Sequence, residues 1–114
     1  TSVTIPDSVT NIEYEAFSGC TSLTSVTISD SVTSIGYEAF RDCTGLMSVT
    51  IGNGVSSIDD WAFYGCTSLM SVTIGSSVIS IDNYAFDDCY CLIEIYNKSS
   101  LKITAGGSAN VTDM

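Results

Sequence analysis

The sequence has no histidine and only three basic residues, Arg41, Lys98 and Lys102, among 114 residues. It therefore lacks the commonest general base and the commonest metal ligand, and a Ser, Thr or Cys nucleophile has no imidazole to take its proton. Thirteen Asp and Glu residues give a net charge of −10. Because nucleic acids and anionic membrane surfaces attract Lys and Arg, this balance disfavours both as partners. The composition also disfavours an enzyme.

Charge of either sign is scarce, at 14% of residues against about 25% in an ordinary soluble protein. No apolar run of about 20 residues could cross a bilayer, and no secretory signal segment opens the sequence. By contrast, 45% of the residues are hydrophobic, which is enough for a core and argues against disorder. Since the sequence does not begin with Met, we expect a mature or excised part of a longer protein.

The residues that are present repeat every 23 positions. The shift aligns apolar columns with one another, and one of these columns is Val3, Val26, Val49, Val72 and Ile95. We define four full units, 3–25, 26–48, 49–71 and 72–94, and a degenerate unit, 95–104. These make a solenoid of residues 1–104, followed by a polar tail, 105–114.

Each unit has the same local pattern. In the segment LTSVTI, the last two apolar residues, Val26 and Ile28, are two positions apart, and β-branched residues lie between Leu23 and Ile28. This pattern predicts a short strand. Val32 to Ile35 predicts a second short extended piece, and the segment from Tyr37 to Cys43 has the spacing of one helical turn. Because a single coil buries too little to fold alone, we expect the units to stack and join their strands in parallel.

The strand segments LTSVTI, LMSVTI and LIEIYN resemble the core of leucine-rich repeats, and the continuation V-x-x-I-x-x-x-A-F-x-x-C-x-x-L resembles the BspA-like subclass. The resemblance implies a right-handed, mostly β solenoid with short parallel strands on one face and short strands, turns and single helical turns elsewhere. It also implies a secreted or cell-surface protein with adhesive roles. Many relatives carry Asn where this chain has Ser8, Ser31, Gly54, Ser77 and Ser100, so an Asn ladder is not expected there.

Three columns are interpreted as structural core. The aromatic row consists of Phe17, Phe40, Phe63 and Phe86. A row of reduced thiols, which act as small apolar fillers, consists of Cys20, Cys43, Cys66 and Cys89. The leucine row consists of Leu23, Leu46, Leu69 and Leu92. Parallel side chains seldom reach disulfide geometry, and metal sites need convergent ligands. Cys91 lies off the column and is expected to be exposed. We expect no metal site and no cofactor.

The outward positions of the strands form the candidate binding surface. One column reads Thr24, Met47, Met70 and Ile93, with three apolar residues on adjacent coils, and exposed contiguous apolar surface often marks a partner site. The candidate binding residues are Thr24, Thr27, Met47, Ser48, Thr50, Met70, Ser71, Thr73, Ile93 and Tyr96. The alternative is that the Met column touches a neighbouring coil, a neighbouring molecule in a crystal or a removed part of the parent chain.

A second surface combines acidic and aromatic residues: Glu13, Tyr14, Glu15, Tyr37, Glu38, Asp59, Asp60, Trp61, Asp82, Asn83, Tyr84, Asp87 and Asp88. Carboxylates on adjacent coils suit Ca²⁺ and exposed rings suit sugars, but no EF-hand loop or G-G-x-G-x-D repeat is present. A solvated surface is the favoured interpretation.

The sequence therefore predicts a non-catalytic module that binds a host or matrix protein at the cell surface through its strand face. The alternative function is a structural spacer within a larger surface protein, with no ligand of its own. We expect no nucleic-acid partner and no membrane insertion. The open ends of the solenoid favour association with another copy.

Overall fold

The computed structural model describes residues 1–82 and 84–99. These residues form nine short strands in chain order: β1 Ser2–Ile5, β2 Asn11–Ile12, β3 Ser25–Ile28, β4 Ser34–Ile35, β5 Ser48–Thr50, β6 Ser57–Ile58, β7 Ser71–Ile74, β8 Ser80–Ile81 and β9 Glu94–Asn97. The odd-numbered strands make a five-stranded parallel sheet in the order β1-β3-β5-β7-β9, and the even-numbered strands make a four-stranded parallel sheet. The predicted mostly β solenoid is confirmed.

The 23-residue repeat sets the register of both sheets. Val3 lies opposite Val26 in the first ladder, and Ile12 lies opposite Ile35 in the second. Each residue therefore contacts its own equivalent on the next coil, at the spacing of about 4.8 Å between paired strands. Like residues form straight columns, and both the core and the surface are built from them.

The core lies between the two sheets and the turns. Three rings of the aromatic row, Phe40, Phe63 and Phe86, are buried, as are all four residues of the leucine row. The ring centroids of Phe40 and Phe63 lie 5.0 Å apart, with neighbouring pairs at 5.1 Å and interplanar angles of 3° or less. The phenylalanines therefore form one continuous stack through four coils.

The first coil departs from the predicted core. Cys20 is exposed and Phe17 is half-buried, whereas their equivalents on the other coils are buried. Placing Cys20 in the core was therefore wrong for the described chain. The reason is that Cys20 is covered by a coil on one side only.

The single helical turn predicted around Tyr37 to Cys43 and its equivalents is also wrong, since no helix occurs among residues 1–82 and 84–99. The segments are turns with two positive-φ positions in each, including Glu38 at 56° and Asp42 at 58°. Backbone donors in these turns reach the next coil: the amide N of Phe40 lies 2.7 Å from the carbonyl O of Ala62. Because bonding between coils replaces bonding along a helix, the turns also join the stack.

The handedness of the solenoid and the boundaries of the units stay predictions. The predicted tail, 105–114, and the last part of the degenerate unit lie outside the described residues. A helix that could span a membrane is not found among residues 1–82 and 84–99.

Candidate protein-binding surface

The outward side of the five-stranded sheet, called here the strand face, is set by alternation along each strand. In β3, Val26 and Ile28 point into the core while Ser25 and Thr27 point outward. The register repeats this on every coil. The outward columns are therefore Ser2, Ser25, Ser48, Ser71 and Glu94, and Thr4, Thr27, Thr50, Thr73 and Tyr96.

An apolar column borders these hydroxyl columns. Met47 and Met70 are each 44% exposed, and Ile93 is 73% exposed. Their backbones continue the sheet by one residue, because the N–H of Met70 donates to the carbonyl of Met47 at 2.9 Å and that of Ile93 donates to Met70 at 3.0 Å. The three side chains are thus held on a fixed backbone at adjacent coil positions.

Thr24, the first member of that column, has a different role. Its hydroxyl donates to the carbonyl of Thr1 at 2.9 Å and accepts from the N-terminal amine at 3.1 Å. It is half-buried. Thr24 therefore ties the start of the described chain to the second coil, and the apolar part of the column consists of Met47, Met70 and Ile93.

All ten predicted binding residues are brought to this one side of the molecule. Six are exposed, namely Thr27, Met47, Thr50, Met70, Ile93 and Tyr96, and four are half-buried, namely Thr24, Ser48, Ser71 and Thr73. At the β9 end, the Tyr96 hydroxyl donates to Glu94 at 3.1 Å, and this bond with the adjacent carboxylate raises the pKa of Tyr96. The strand face therefore combines columns of hydroxyl groups with one apolar column, and its acidic group, Glu94, lies at the β9 end.

A cleft of about 600 Å³ adjoins the strand face, lined by Thr27 and Thr50 together with residues of the following turns. Sequence reasoning missed it. It also missed an amide ladder in these turns, where Asp30 Oδ1 accepts from the N–H of Asn53 at 2.7 Å and Asn53 Oδ1 accepts from the N–H of Ser76 at 3.0 Å. The ladder lies one residue before the column that contains Ser31 and Gly54, where many leucine-rich repeats carry Asn. The sequence signal that could have revealed this ladder is the presence of Asp30 and Asn53 at equivalent positions of adjacent units.

The thiol column takes part in the stack. Cys43, Cys66 and Cys89 are buried, and each Sγ lies 3.1–3.3 Å from a Phe carbonyl oxygen on the preceding coil. The hydrogen bond with Cys43, together with burial, raises the pKa of the Cys66 thiol. Such a thiol is protonated and unreactive at neutral pH. Cys91 is exposed, as predicted.

Three carboxylates converge at the turns. One oxygen from each of Asp59, Asp60 and Asp82 lies within 4.8 Å of the others. Desolvation, followed by the hydrogen bond and charge of Asp59 and the charge of Asp60, raises the pKa of Asp82. Exposed acidic groups of this kind are common without an ion, so this geometry alone assigns no metal.

The parallel coils, the apolar columns and the 23-residue register define a leucine-rich repeat solenoid. A model of the BspA type leucine-rich repeat region matches residues 1–108 in six copies. The chain belongs to this family. Leucine-rich repeat proteins are generally non-enzymatic binding scaffolds.

Solved bacterial structures share the fold. A leucine-rich repeat protein from Bacteroides capillosus is 35% identical, with a TM-score of 0.76 over 84% of this chain and 75% of its own. A leucine rich cell surface protein from Faecalibacterium prausnitzii is 31% identical, with a TM-score of 0.65 over 89% of this chain and 32% of its own.

The T. pallidum leucine-rich repeat protein is 29% identical, with a TM-score of 0.67, and the match covers 82% of this chain. This chain spans 57% of the T. pallidum protein and 32% of the F. prausnitzii protein. None of the curated proteins matches it.

Proposed function

We propose that this chain is a non-catalytic binding module that recognises a protein ligand, from a host or its matrix, through the strand face. The observation that carries the proposal is the column of Met47, Met70 and Ile93, three exposed apolar side chains on adjacent coils. Protein interfaces commonly have such an apolar centre with a polar rim. Here the Ser and Thr columns supply the rim.

The backbone under this column favours binding. Because Met70 and Ile93 are hydrogen-bonded to the preceding coil, the surface loses little conformational freedom when a partner docks. The Met side chains themselves are flexible and polarisable, so they adapt to the partner's shape. The proposed mechanism is therefore a rigid platform with an adaptable apolar anchor.

Absence of catalysis is part of this proposal. The strand face carries hydroxyls, but the sequence has no histidine to activate them. Secreted or cell-surface placement is proposed as well. Its support is the family match and the F. prausnitzii structure, which is called a leucine rich cell surface protein.

The test compares Met70→Glu with Ile79→Glu. Ile79 is 73% exposed and directly precedes β8, a strand of the four-stranded sheet. The two variants therefore add the same charge to different faces of the solenoid. Binding is measured by surface plasmon resonance on individually immobilised, purified extracellular-matrix proteins. We expect at least a tenfold loss of affinity for Met70→Glu, as for a central interface residue, and less than a twofold change for Ile79→Glu.

A structural spacer is the second candidate function. The observation that favours it is the uniformity of the outward columns, where Thr4, Thr27, Thr50 and Thr73 vary little from coil to coil. Interfaces tailored to one partner concentrate their energy in a few distinctive residues. If the unmodified chain has a normal melting temperature but binds none of the matrix proteins, the binding module is rejected. The structural spacer then becomes the proposed function.

A further inference from the structure

The turn between β5 and β6 contains the only Asn-Gly pair in the sequence, Asn53-Gly54. The residues that follow the other asparagines are all larger, namely Ile12, Tyr84, Lys98 and Val111. An Asn side chain holds an amide carbon close to the backbone nitrogen of the next residue, and a glycine, which has no Cβ, leaves that nitrogen unhindered. Asn53 is therefore the asparagine whose side chain the backbone can attack most readily.

The stack of coils accounts for both members of this pair. The N–H of Asn53 donates to Asp30 Oδ1 at 2.7 Å, and Asn53 Oδ1 accepts from the N–H of Ser76 at 3.0 Å, so residue 53 links three successive coils. At Gly54, a Cβ atom would lie 1.9 Å from the carbonyl oxygen of Asp30, so the backbone leaves no room for a larger residue. Contacts between coils thus place an amide side chain directly before a glycine.

The reacting atoms are accessible and hold no other hydrogen bonds. Asn53 is exposed and Gly54 is half-buried. Among the described residues, neither the N–H of Gly54 nor Asn53 Nδ2 donates to an acceptor. The turn itself is closed by a long bond, 3.4 Å from the amide N of Val55 to the carbonyl O of Gly52. Attack by one nitrogen and departure of the other therefore break no hydrogen bond.

The bond from Ser76 activates the side-chain carbonyl of Asn53. A donor on Oδ1 draws electron density from Cγ, and it stabilises the negative charge that Oδ1 gains when a nucleophile adds to Cγ. This donor is a backbone N–H of the next coil, so its position is set by the fold. Asn53 thus combines an unhindered nucleophile with a fixed donor to the developing oxyanion.

We infer that Asn53 is a site of spontaneous deamidation in the folded protein. Hydroxide removes the proton from the Gly54 nitrogen, this nitrogen forms a bond to Cγ of Asn53, and the bond from Cγ to Nδ2 breaks as ammonia leaves with a proton from water. A second water then opens the cyclic imide at either carbonyl, which gives aspartate or isoaspartate at position 53. One water is consumed and one ammonia is released in total.

The reaction changes the cleft beside the strand face, which Asn53 lines. Either product adds a negative charge close to Asp30. The aspartate keeps an acceptor for the N–H of Ser76, just as Asp30 provides one for Asn53, whereas isoaspartate adds a methylene to the backbone and disturbs the 23-residue register. Because the chain reacts by itself, the inference does not depend on the function proposed above.

The test incubates the purified protein at pH 8.0 and 37 °C in oxygen-18 water and follows each asparagine by peptide mass spectrometry. We expect conversion at Asn53 to be at least about tenfold faster than at Asn11 or Asn97. It should also be at least as fast as in a synthetic peptide of residues 50–57, which keeps the Asn-Gly pair but lacks the donor from Ser76. Conversion of the peptide while Asn53 of the folded protein stays intact would overturn the inference, because the stack would then protect this residue.

The donor has its own matched pair of variants. Ser76→Pro removes the N–H at the second position of the turn from Gly75 to Val78, where proline is favoured, and Ser76→Ala keeps the N–H. We expect deamidation of Asn53 to slow about fivefold in Ser76→Pro and to stay within about twofold in Ser76→Ala. An unchanged or faster rate in a folded Ser76→Pro variant, with folding verified by circular dichroism, would overturn the inference, since the bond would then restrain the side chain. The comparison with the peptide needs no variant and decides the matter if Ser76→Pro does not fold.

Discussion

Removing one ring from the middle of the phenylalanine stack tests how the coils hold together. Phe63 is fully buried between Phe40 and Phe86, with ring centroids 5.0 Å and 5.1 Å away. Phe63→Ala deletes the ring but keeps the N–H that donates to the Ala85 carbonyl. Truncating a buried Phe costs about 3 to 5 kcal/mol because burial is lost and a cavity remains. This is a large part of the roughly 5 to 15 kcal/mol that stabilises an ordinary domain.

The matched control is Phe17→Ala. The Phe17 ring is half-buried and stacks on one neighbour only, Phe40, at 5.1 Å. Its loss should cost about 1 to 2 kcal/mol, since less apolar surface returns to water and less of a cavity is left. We therefore expect the unfolding free energy to fall about 2 to 3 kcal/mol further for Phe63→Ala than for Phe17→Ala.

The assay is urea unfolding followed by circular dichroism and by the fluorescence of the single tryptophan, Trp61. The slope with denaturant should stay constant among the variants if only stability changes. Equal costs for Phe63→Ala and Phe17→Ala would refute the reasoning, because the central ring would then contribute no more than the terminal one. A cost below about 1.5 kcal/mol for Phe63→Ala would refute it too.

Three further predictions concern the thiols, the amide ladder and the carboxylates. Maleimide labelling of the native, reduced protein should modify Cys20 and Cys91 rapidly and Cys43, Cys66 and Cys89 only after unfolding; mass spectrometry that finds fast labelling of Cys66 would contradict this burial. Asn53→Ala should lower the unfolding free energy by about 1 kcal/mol because the N–H of Ser76 loses its acceptor, whereas Asn53→Asp keeps an acceptor, and equal costs for the two would count against the ladder. Because the pKa of Asp82 is raised, the stability linked to its protonated form is present at acid pH and is lost as the pH rises through that pKa. Asp82→Asn should therefore raise the melting temperature by about 1 to 2 °C at pH 7 and leave it unchanged at pH 3, and an equal rise at both pH values would exclude the repulsion.

The sequence allowed the stack itself to be predicted. A period of 23 with β-branched residues at Val26 and Ile28 favours parallel pairing of equivalents, and alternation along each strand places Ser48 and Thr50 outward. The Met column followed from the spacing of the core residues instead, because two successive positions separate the buried Leu46 from the buried Val49. The turns could not be predicted in the same way. The spacing around Ala39 and Phe40 suits one helical turn, but the positive φ at Glu38 and the bond from the N–H of Phe40 to Ala62 depend on the neighbouring coil.

Contacts between different columns were also hidden from the sequence. The position of Arg41 over Trp61 and Tyr64 joins two coils and two columns, and a repeat alignment shows each column only by itself. The same holds for the exposure of Cys20, which its column predicts to be buried. Exposure at an end of the described stack depends on whether a further coil covers it, which the pattern within a coil does not reveal.

The most direct test of the proposed binding surface is hydroxyl-radical footprinting, read by mass spectrometry, of the protein with a matrix protein that it captures. If the strand face is the interface, oxidation of Met47 and Met70 should fall severalfold in the complex, while exposed Ile79, on the other sheet's side, keeps its free rate. Oxidation of Met47 and Met70 at the free rate in a saturated complex would contradict the proposal.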